Sequence, residues 1–311
     1  MIKNYEEQYL DLCKKILDEG EYTEDRTGTG TYSIFGAMMK HDMSLGFPLL
    51  TTKKVNLGLV AGELLLFMSG KTDLPTLRKY QNKPEGAHTI WSDDYEKYWD
   101  TKDELLGKGN DLQCEREHET GGRLYGQQWR SFYACGSDGY PKRHDQITTL
   151  IKNIKDVAKG NMYQSRRLIV NSWNAYDHTV GEKKVSALSA CHDSFQCIVR
   201  EGKLHLRFSC RSNDVFLGNP YNFSSYALLL HILAKLTGLE VGELLYFGTD
   251  VHLYSNHIEQ IKEQLSREPR ALPKLVLPEF NNLEELLQLT GKDFVLEGYD
   301  PHPFIKAPQA S

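Results

Sequence analysis

The sequence predicts an α+β fold in one large compact domain spanning residues 1–311. Segments with helix period and segments with strand period alternate irregularly, without regular β–α repeats. No linker, internal repeat or low-complexity tract divides the 311 residues. Hydrophobic residues make up 40% and charged residues 25%, which excludes a disordered chain, a collagen and a coiled-coil rod.

The predicted elements follow in order. Asn4–Leu17 is a helix. Asn4 and Glu7 fit a capping box, Tyr5, Tyr9, Leu12, Cys13, Ile16 and Leu17 form one apolar stripe, and Gly20 stops it. Asp25–Thr31 is a polar loop with Gly28 and Gly30, and Tyr32–Met43 is strand-like. Leu57–Met68 is a buried helix in spite of Gly58 and Gly62. Thr101–Gly122 is charged, glycine-rich and aperiodic, so it is expected to be a surface insertion. Ile147–Val157 is a short helix and Arg167–Trp173 a strand. Leu204, Leu206, Phe208 and Cys210 alternate with polar residues, and Glu201-Gly202 turns this strand back onto Ser194–Arg200. A helix that is apolar nearly all round starts at Ser225 and ends at Leu236 before Gly238, so it belongs at the centre of the core. Asn256–Leu265 and Leu283–Leu289 are further helices. The tail from Pro301 to Ser311 carries three prolines and is extended.

Charge and cysteine usage narrow the function. Lys+Arg number 37 against Asp+Glu 42, a net charge of −5, without the basic excess expected of a nucleic-acid binder. The six cysteines contain no CxxC pair and are too sparse for a disulfide scaffold. Met1-Ile2-Lys3 runs straight into the first helix with no signal peptide, so the cytoplasm is the expected compartment. Leu57–Met68 and Tyr226–Leu236 are too short to span a bilayer, and Glu63 and His231 interrupt them. No membrane or nucleic-acid partner is expected.

Several residues stand out chemically. Glu63 has Leu59, Val60, Leu66 and Phe67 three and four positions away, so its carboxyl lies along an apolar helix face. Burial there makes it a proton-shuttle candidate; the alternative is a helix rotated to bring it to a rim or a structural arginine. Cys191 is followed by His192, but adjacent strand residues point to opposite faces. What raises interest in Cys191 is the arginine supply, Arg166, Arg167 and Arg211, because cations favour a thiolate and also bind phosphate. The plain alternative is a small buried cysteine beside a solvated basic face. Asp214-x-x-Leu217-Gly218-x-Pro220-x-Asn222 leads into the apolar helix. Asn222 is either a turn residue or an amide able to read a heterocycle's donor and acceptor edges. His252 and Tyr254 share a face if extended.

Together these residues resemble the folate-dependent thymidylate synthase family. The resemblance runs from about Ile16 to the C-terminus and rests on ordered blocks. They are Asp25-Arg26-Thr27-Gly28-Thr29-Gly30, Gly46-Phe47-Pro48-Leu49-Leu50-Thr51-Thr52-Lys53-Lys54, Tyr125-Gly126-x-Gln128-Trp129-Arg130, Ser165-Arg166-Arg167, Cys191-His192, Arg211-Ser212-x-Asp214, Asn222 and His252-x-Tyr254-x-Asn256-His257. The resemblance implies a homodimer on a central mixed sheet flanked by helices, taking dUMP and 5,10-methylenetetrahydrofolate without a metal. It makes Cys191 the nucleophile at C6 of the pyrimidine. Arg26, Arg211 and Ser212 would hold the phosphate, with Arg166 and Arg167 reaching over from the other subunit. Asn222 would read uracil, and His252 and Tyr254 would hold the 3′ hydroxyl. Glu63 would relay protons, Tyr125 would lie near the C5 proton, and Asp214, Trp91 and Lys53 would contact the folate. The C-terminal segment would close over it.

The chain departs from the family pattern at Ala190 (usually Pro), Cys210 (usually Gln), Ser311 (usually apolar) and the Thr101–Gly122 insertion. Cys210 and Ser311 bear on water exclusion, so a dUMP hydroxymethylase giving 5-hydroxymethyl-dUMP is the alternative reaction. Asn222 argues for uracil over cytosine in either case. A non-catalytic nucleotide- or RNA-binding relative is a third reading, opposed by the net charge and the complete catalytic set. Neither a glycine-rich dinucleotide fingerprint nor a metal-spaced His/Cys cluster points to a flavin or metal enzyme.

Overall fold

Local signals begin the fold at Asn4. Its side chain accepts the Glu7 N–H while the Glu7 carboxylate accepts the Asn4 N–H, and this box starts α1 (Tyr5–Glu19) as expected. A computed structural model describes residues 3–25, 28–106, 119–175, 177 and 186–309 of the chain. The remaining elements are β1 (Glu21–Thr23), β2 (Thr31–Asp42), α2 (Leu57–Ser69), α3 (Leu74–Tyr80), α4 (Ser92–Leu106), α5 (Tyr125–Arg130), β3 (Phe132–Cys135), β4 (Pro141–His144), α6 (Gln146–Ala158) and β5 (Ile169–Asn171). They continue with β6 (His192–Arg200), β7 (Lys203–Asp214), α7 (Gly218–Thr237), β8 (Glu240–Tyr254), α8 (Ile258–Leu265), β9 (Lys274–Val276), α9 (Leu283–Leu286) and β10 (Val295–Glu297).

The fold is α+β, built on a six-stranded mixed sheet in the order β1-β2-β8-β7-β6-β5. Among the described residues only β7 and β8 pair in parallel, and α7 is the crossover between them. One sheet face packs against helices. Leu204, Leu206, Phe208 and Cys210 of β7 lie on that side with Leu244 and Tyr246 of β8, and α7 is buried along nearly its whole length. The buried apolar cluster runs from Tyr5 in α1 to Ile305 in the tail. The expected hairpin is present, and Glu201 (φ 50°) and Gly202 (φ 75°) are both left-handed, the requirement of a tight two-residue turn. Gly238, at φ 71°, closes α7 as a left-handed cap.

Four expectations need correction. The strand expected over Arg167–Trp173 is the shorter β5, Ile169–Asn171. The helix expected from Leu283 to Leu289 is the short α9. The helix expected at Ser225 begins at Gly218: Pro220 occupies the first turn, where a missing N–H leaves no bond unmade, so Asn222 lies inside the helix. The Thr101–Gly122 insertion is not wholly a surface excursion, because residues 101–106 continue α4. Its end docks as well: Glu119 grips the buried Arg78 through two hydrogen bonds of 2.6 and 2.9 Å, and the Gly121 N–H donates to Thr72 O. Residues 107–118 lie outside the described residues.

Candidate active site

A buried carboxylate braces the loop before α2. Glu6 accepts the N–H and hydroxyl of both Thr51 and Thr52, at 2.7–2.8 Å. This fixes the conformation that delivers Lys53. The Lys53 ammonium turns inward onto the Phe216 carbonyl and lies 3.4 Å from that ring's centroid. Burial lowers its pKa to about 7 even though Asp214 pulls the other way. Lys53 is therefore buried here beside the Asp214 loop and is not presented on a cleft rim.

The nucleophile candidate stands at the entrance to β6. The Cys191 backbone N–H donates to the Tyr125 hydroxyl (2.7 Å), and its carbonyl accepts the Arg211 N–H (2.9 Å). Arg211 Nε donates to Ala190 O at 2.8 Å, and its guanidinium sits 5.1 Å from the centre of the Trp173 ring. The peptides on both sides of Cys191 are pinned while its thiol stays partly exposed. Burial pushes the thiol pKa up; Arg211 and then Tyr125 favour the thiolate without cancelling that rise.

His192 points away from the thiol, as strand alternation requires. It is stacked on Tyr125 (4.0 Å, 13°), with Nδ1 2.9 Å from the Tyr226 hydroxyl. Burial drops its pKa to about 3, so it is a neutral packing group rather than a base for the cysteine. Tyr125 in turn packs on Phe67, and Phe67 stacks on Trp91 at 5.7 Å. An aromatic floor thus connects the nucleophile to Trp91, which is buried between Phe67 and Tyr95.

Glu63 lies one helical turn before Phe67 on α2 and remains partly exposed. No hydrogen bond reaches its carboxyl among the described residues. Burial alone lifts its pKa to about 7, and its charge is felt by Tyr95 and Tyr221. Its helix neighbours Val60, Leu66 and Phe67 are buried, while Glu63 itself reaches the rim of that apolar face.

At the end of β7, Asp214 Oδ1 accepts the N–H groups of Phe216 and Leu217 at 2.8 and 3.1 Å, forming the turn into α7. Its charge reaches Cys191, Lys53 and His252. Asn222 is partly exposed on the second turn of α7, one turn beyond Gly218. His252 is buried, 3.5 Å from Asp250, and meets the Tyr254 ring edge-on at 5.3 Å. Burial works to lower the His252 pKa, but Asp250 and Asp214 more than offset it and the net direction is up. Ser212 pairs with Asp250 across the same parallel strands.

The structure thus groups Cys191, Tyr125, Arg211, Ser212, Asp214, His252 and Tyr254 at one end of the sheet, with Asn222 on the adjoining helix turn. Arg166 and Arg167 are exposed ahead of β5, away from any carboxylate partner among the described residues, with Arg167 over the Tyr163 ring at 4.4 Å. Arg26 and Ser311 lie outside the described residues. The tail is docked: the His302 N–H donates to Thr51 O, His257 Nε2 meets Pro308 O, and Gln309 donates to Ile90 O beside Trp91. Cys210 is fully buried and pairs with His192, so it faces the core rather than the cleft.

Sequence reasoning passed over Asn213 and Asn219. The signal was two amides placed among apolar positions on either side of Asp214 and Gly218. Tyr5 Oη, Asn219, Asn213 and Tyr246 Oη form a hydrogen-bonded chain directly behind the site.

The geometry agrees with the comparison to known families. The thymidylate synthase family profile matches residues 7–311, which covers the elements above apart from the first two residues of α1. The chain belongs to the thymidylate synthase family.

Proposed function

We propose that this chain transfers a one-carbon unit from 5,10-methylenetetrahydrofolate to C5 of dUMP, with reduction, giving dTMP and dihydrofolate. The observation that carries the reading is the pinned Cys191: its thiol is partly exposed while Tyr125 and Arg211 fix the peptides around it. C5 of uracil is a poor nucleophile until a thiolate adds at C6, and both neighbours favour that thiolate. Arg211 keeps its terminal nitrogens for the phosphate, together with Ser212 and Arg26. Asn222 reads the base, and His252 and Tyr254 take the 3′ hydroxyl. Glu63 holds or releases a proton near neutral pH, which suits repeated proton transfer. Tyr125 lies where the C5 proton leaves, and the cysteine is released when the C6–sulfur bond breaks.

The folate supplies the carbon and the hydride. In this reading Asp214 and Trp91 contact it, and Lys53 supports the Asp214 loop from behind Phe216. The docked tail supports closure against water, which favours methylation over hydroxymethylation.

The active form in this reading is a homodimer. The sheet face opposite the helices carries Met38 paired with Phe247, both exposed, and Phe35 is 92% exposed. A second copy covering that face would bring Arg166 and Arg167 to its neighbour's phosphate.

The test is product identification with dUMP and methylenetetrahydrofolate, by mass spectrometry together with dihydrofolate absorbance. A methyl gain with dihydrofolate supports the reading. A hydroxymethyl gain without dihydrofolate replaces it with the hydroxymethylase. Retained dUMP binding without product replaces it with a binding-only protein.

A further inference from the structure

Asn213 is 1% exposed and immediately precedes Asp214. Its Oδ1 accepts two hydrogen bonds, from Asn219 Nδ2 at 2.7 Å and from the Tyr246 hydroxyl at 2.9 Å. Asn219 Oδ1 accepts in turn from the Tyr5 hydroxyl at 3.0 Å, and Asn219 is itself fully buried. With Oδ1 taken by these two donors, the other end of the Asn213 amide faces away from them. Its Nδ2 is left buried and without a partner among the described residues. An orphan donor at this depth is costly unless something accepts from it.

What lies near Nδ2 points to the acceptor. Gly218 opens α7, and its missing side chain leaves a small space. From the point where a Cβ would stand, Asn213 Nδ2 is 3.9 Å away, Asn222 Nδ2 is 3.8 Å away and Asp214 Cβ is 3.5 Å away. Two amide donors converge there from different elements, and the edge is formed by a residue that bears a carboxylate. A water oxygen accepts two hydrogen bonds and returns two protons, so a single water matches this set.

We propose that Asn213 is a positioning residue for Asn222, acting through one water held in the Gly218 cradle. The water accepts from Asn213 Nδ2 and Asn222 Nδ2 and donates toward the Asp214 carboxylate. It fixes which end of the Asn222 amide faces the base, and so the choice between uracil and cytosine. The chain from Tyr5 through Asn219 makes that orientation a property of the core rather than of the cleft surface. This inference rests on the reading of Asn222 as the base-contacting residue.

Gly218→Ala tests it with little structural disturbance, because the added methyl meets only ordinary contacts of 3.5–3.9 Å and φ is not in the left-handed region. The methyl fills the cradle. Expected for Gly218→Ala are a melting temperature and a Cys191 alkylation rate like wild type, with dUMP binding weakened about ten-fold, the loss of one hydrogen bond of this kind. Preference for dUMP over dCMP should narrow in parallel. Asn213→Asp, which removes the donor but keeps the acceptor of the Tyr246 bond, should narrow it too. A Gly218→Ala protein that binds dUMP as wild type does and keeps its base preference overturns the water relay. A wild-type protein that fails to bind dUMP overturns the parent reading of Asn222 instead, and this inference with it. A crystal structure at high resolution showing the Asn213 amide reversed, or no water in the cradle, also overturns it.

Discussion

Glu63→Gln is expected to stabilise the protein, and to do so increasingly as pH rises. Burial lifts the Glu63 carboxyl from 4.5 to about 7, so the folded chain holds this proton more tightly than the unfolded chain does. Between those two values the unfolded chain has released the proton and the folded chain has not. The contribution of Glu63 to stability is therefore fully present below pH 4.5 and is lost as pH rises to about 7. At about 1.36 kcal/mol per pH unit the loss approaches ~3 kcal/mol, an upper value because cleft water screens a partly exposed carboxyl. Glutamine has no such proton. The stability difference between variant and wild type should therefore grow in the variant's favour by about 1–3 kcal/mol from near pH 5 to near pH 8. Urea unfolding of both proteins across that range measures it, and the same preparations should show the variant losing turnover. A stability difference that stays flat with pH would mean that Glu63 titrates as an ordinary exposed carboxyl, and the proton-relay argument would lose its physical basis.

Other substitutions probe the remaining parts. Cys191→Ser should lower turnover at least about 10³-fold while dUMP affinity stays within a few-fold, read by steady-state kinetics and equilibrium binding; substantial residual activity would remove Cys191 as nucleophile. Asn222→Asp should move preference toward dCMP, and competition between the two nucleotides decides it. Glu6→Gln should cost about 2–4 kcal/mol in chemical denaturation, because four donors from Thr51 and Thr52 lose a charged acceptor in a fully buried place. A cost below ~0.5 kcal/mol would mean that the loop before α2 is not braced through that carboxylate.

Much of the fold was legible where local chemistry decides the backbone. The Asn4–Glu7 box, the Glu201-Gly202 turn and the apolar run of α2 are short-range signals, and each produced its element. The start of α7 was not legible, because Gly218, Asn219, Pro220 and Asn222 are all turn-prone residues. Their helical state is set by the fully buried Phe223 and by Asn219 pairing with Tyr5 and Asn213. The long strand β8 was hidden by Gly242, Gly248 and Asp250, and it persists because β2 and β7 pair with it on both sides. Residues 101–106 lack a helical stripe of their own and are carried by the α4 residues before them, where Tyr95, Tyr98 and Trp99 are buried. In the site, Glu63 and Cys191 were visible as residue types in unusual settings. The inward turn of Lys53 was not, since it depends on a Glu6 contact 45 positions away.

The parallel pairing of β7 with β8 explains why residues so distant in sequence meet. Because β7 and β8 run the same way, their carboxyl ends lie side by side, and Asp214 stands opposite His252. β6 and β2 are antiparallel to these neighbours, so both begin at that same end. Cys191 at the start of β6 and the loop before β2 therefore arrive there too, and Ser255 bonds back to Thr29 O and Gly30 O. One local irregularity completes the arrangement. The β6–β7 register shifts between His192 and Ser194, leaving Asp193 at a bulge. Its carboxylate accepts the Ser209 hydroxyl at 2.7 Å, and its carbonyl takes the N–H groups of Ser172 and Trp173. The bulge shifts the phase of alternation by one residue, so that His192 shares the core side with Phe195 and Cys197. His192 then packs into the core while the Cys191 peptide turns to meet Tyr125 and Arg211. The thiol's orientation is thus a consequence of strand register, with Asp193 as the residue that holds the register in place.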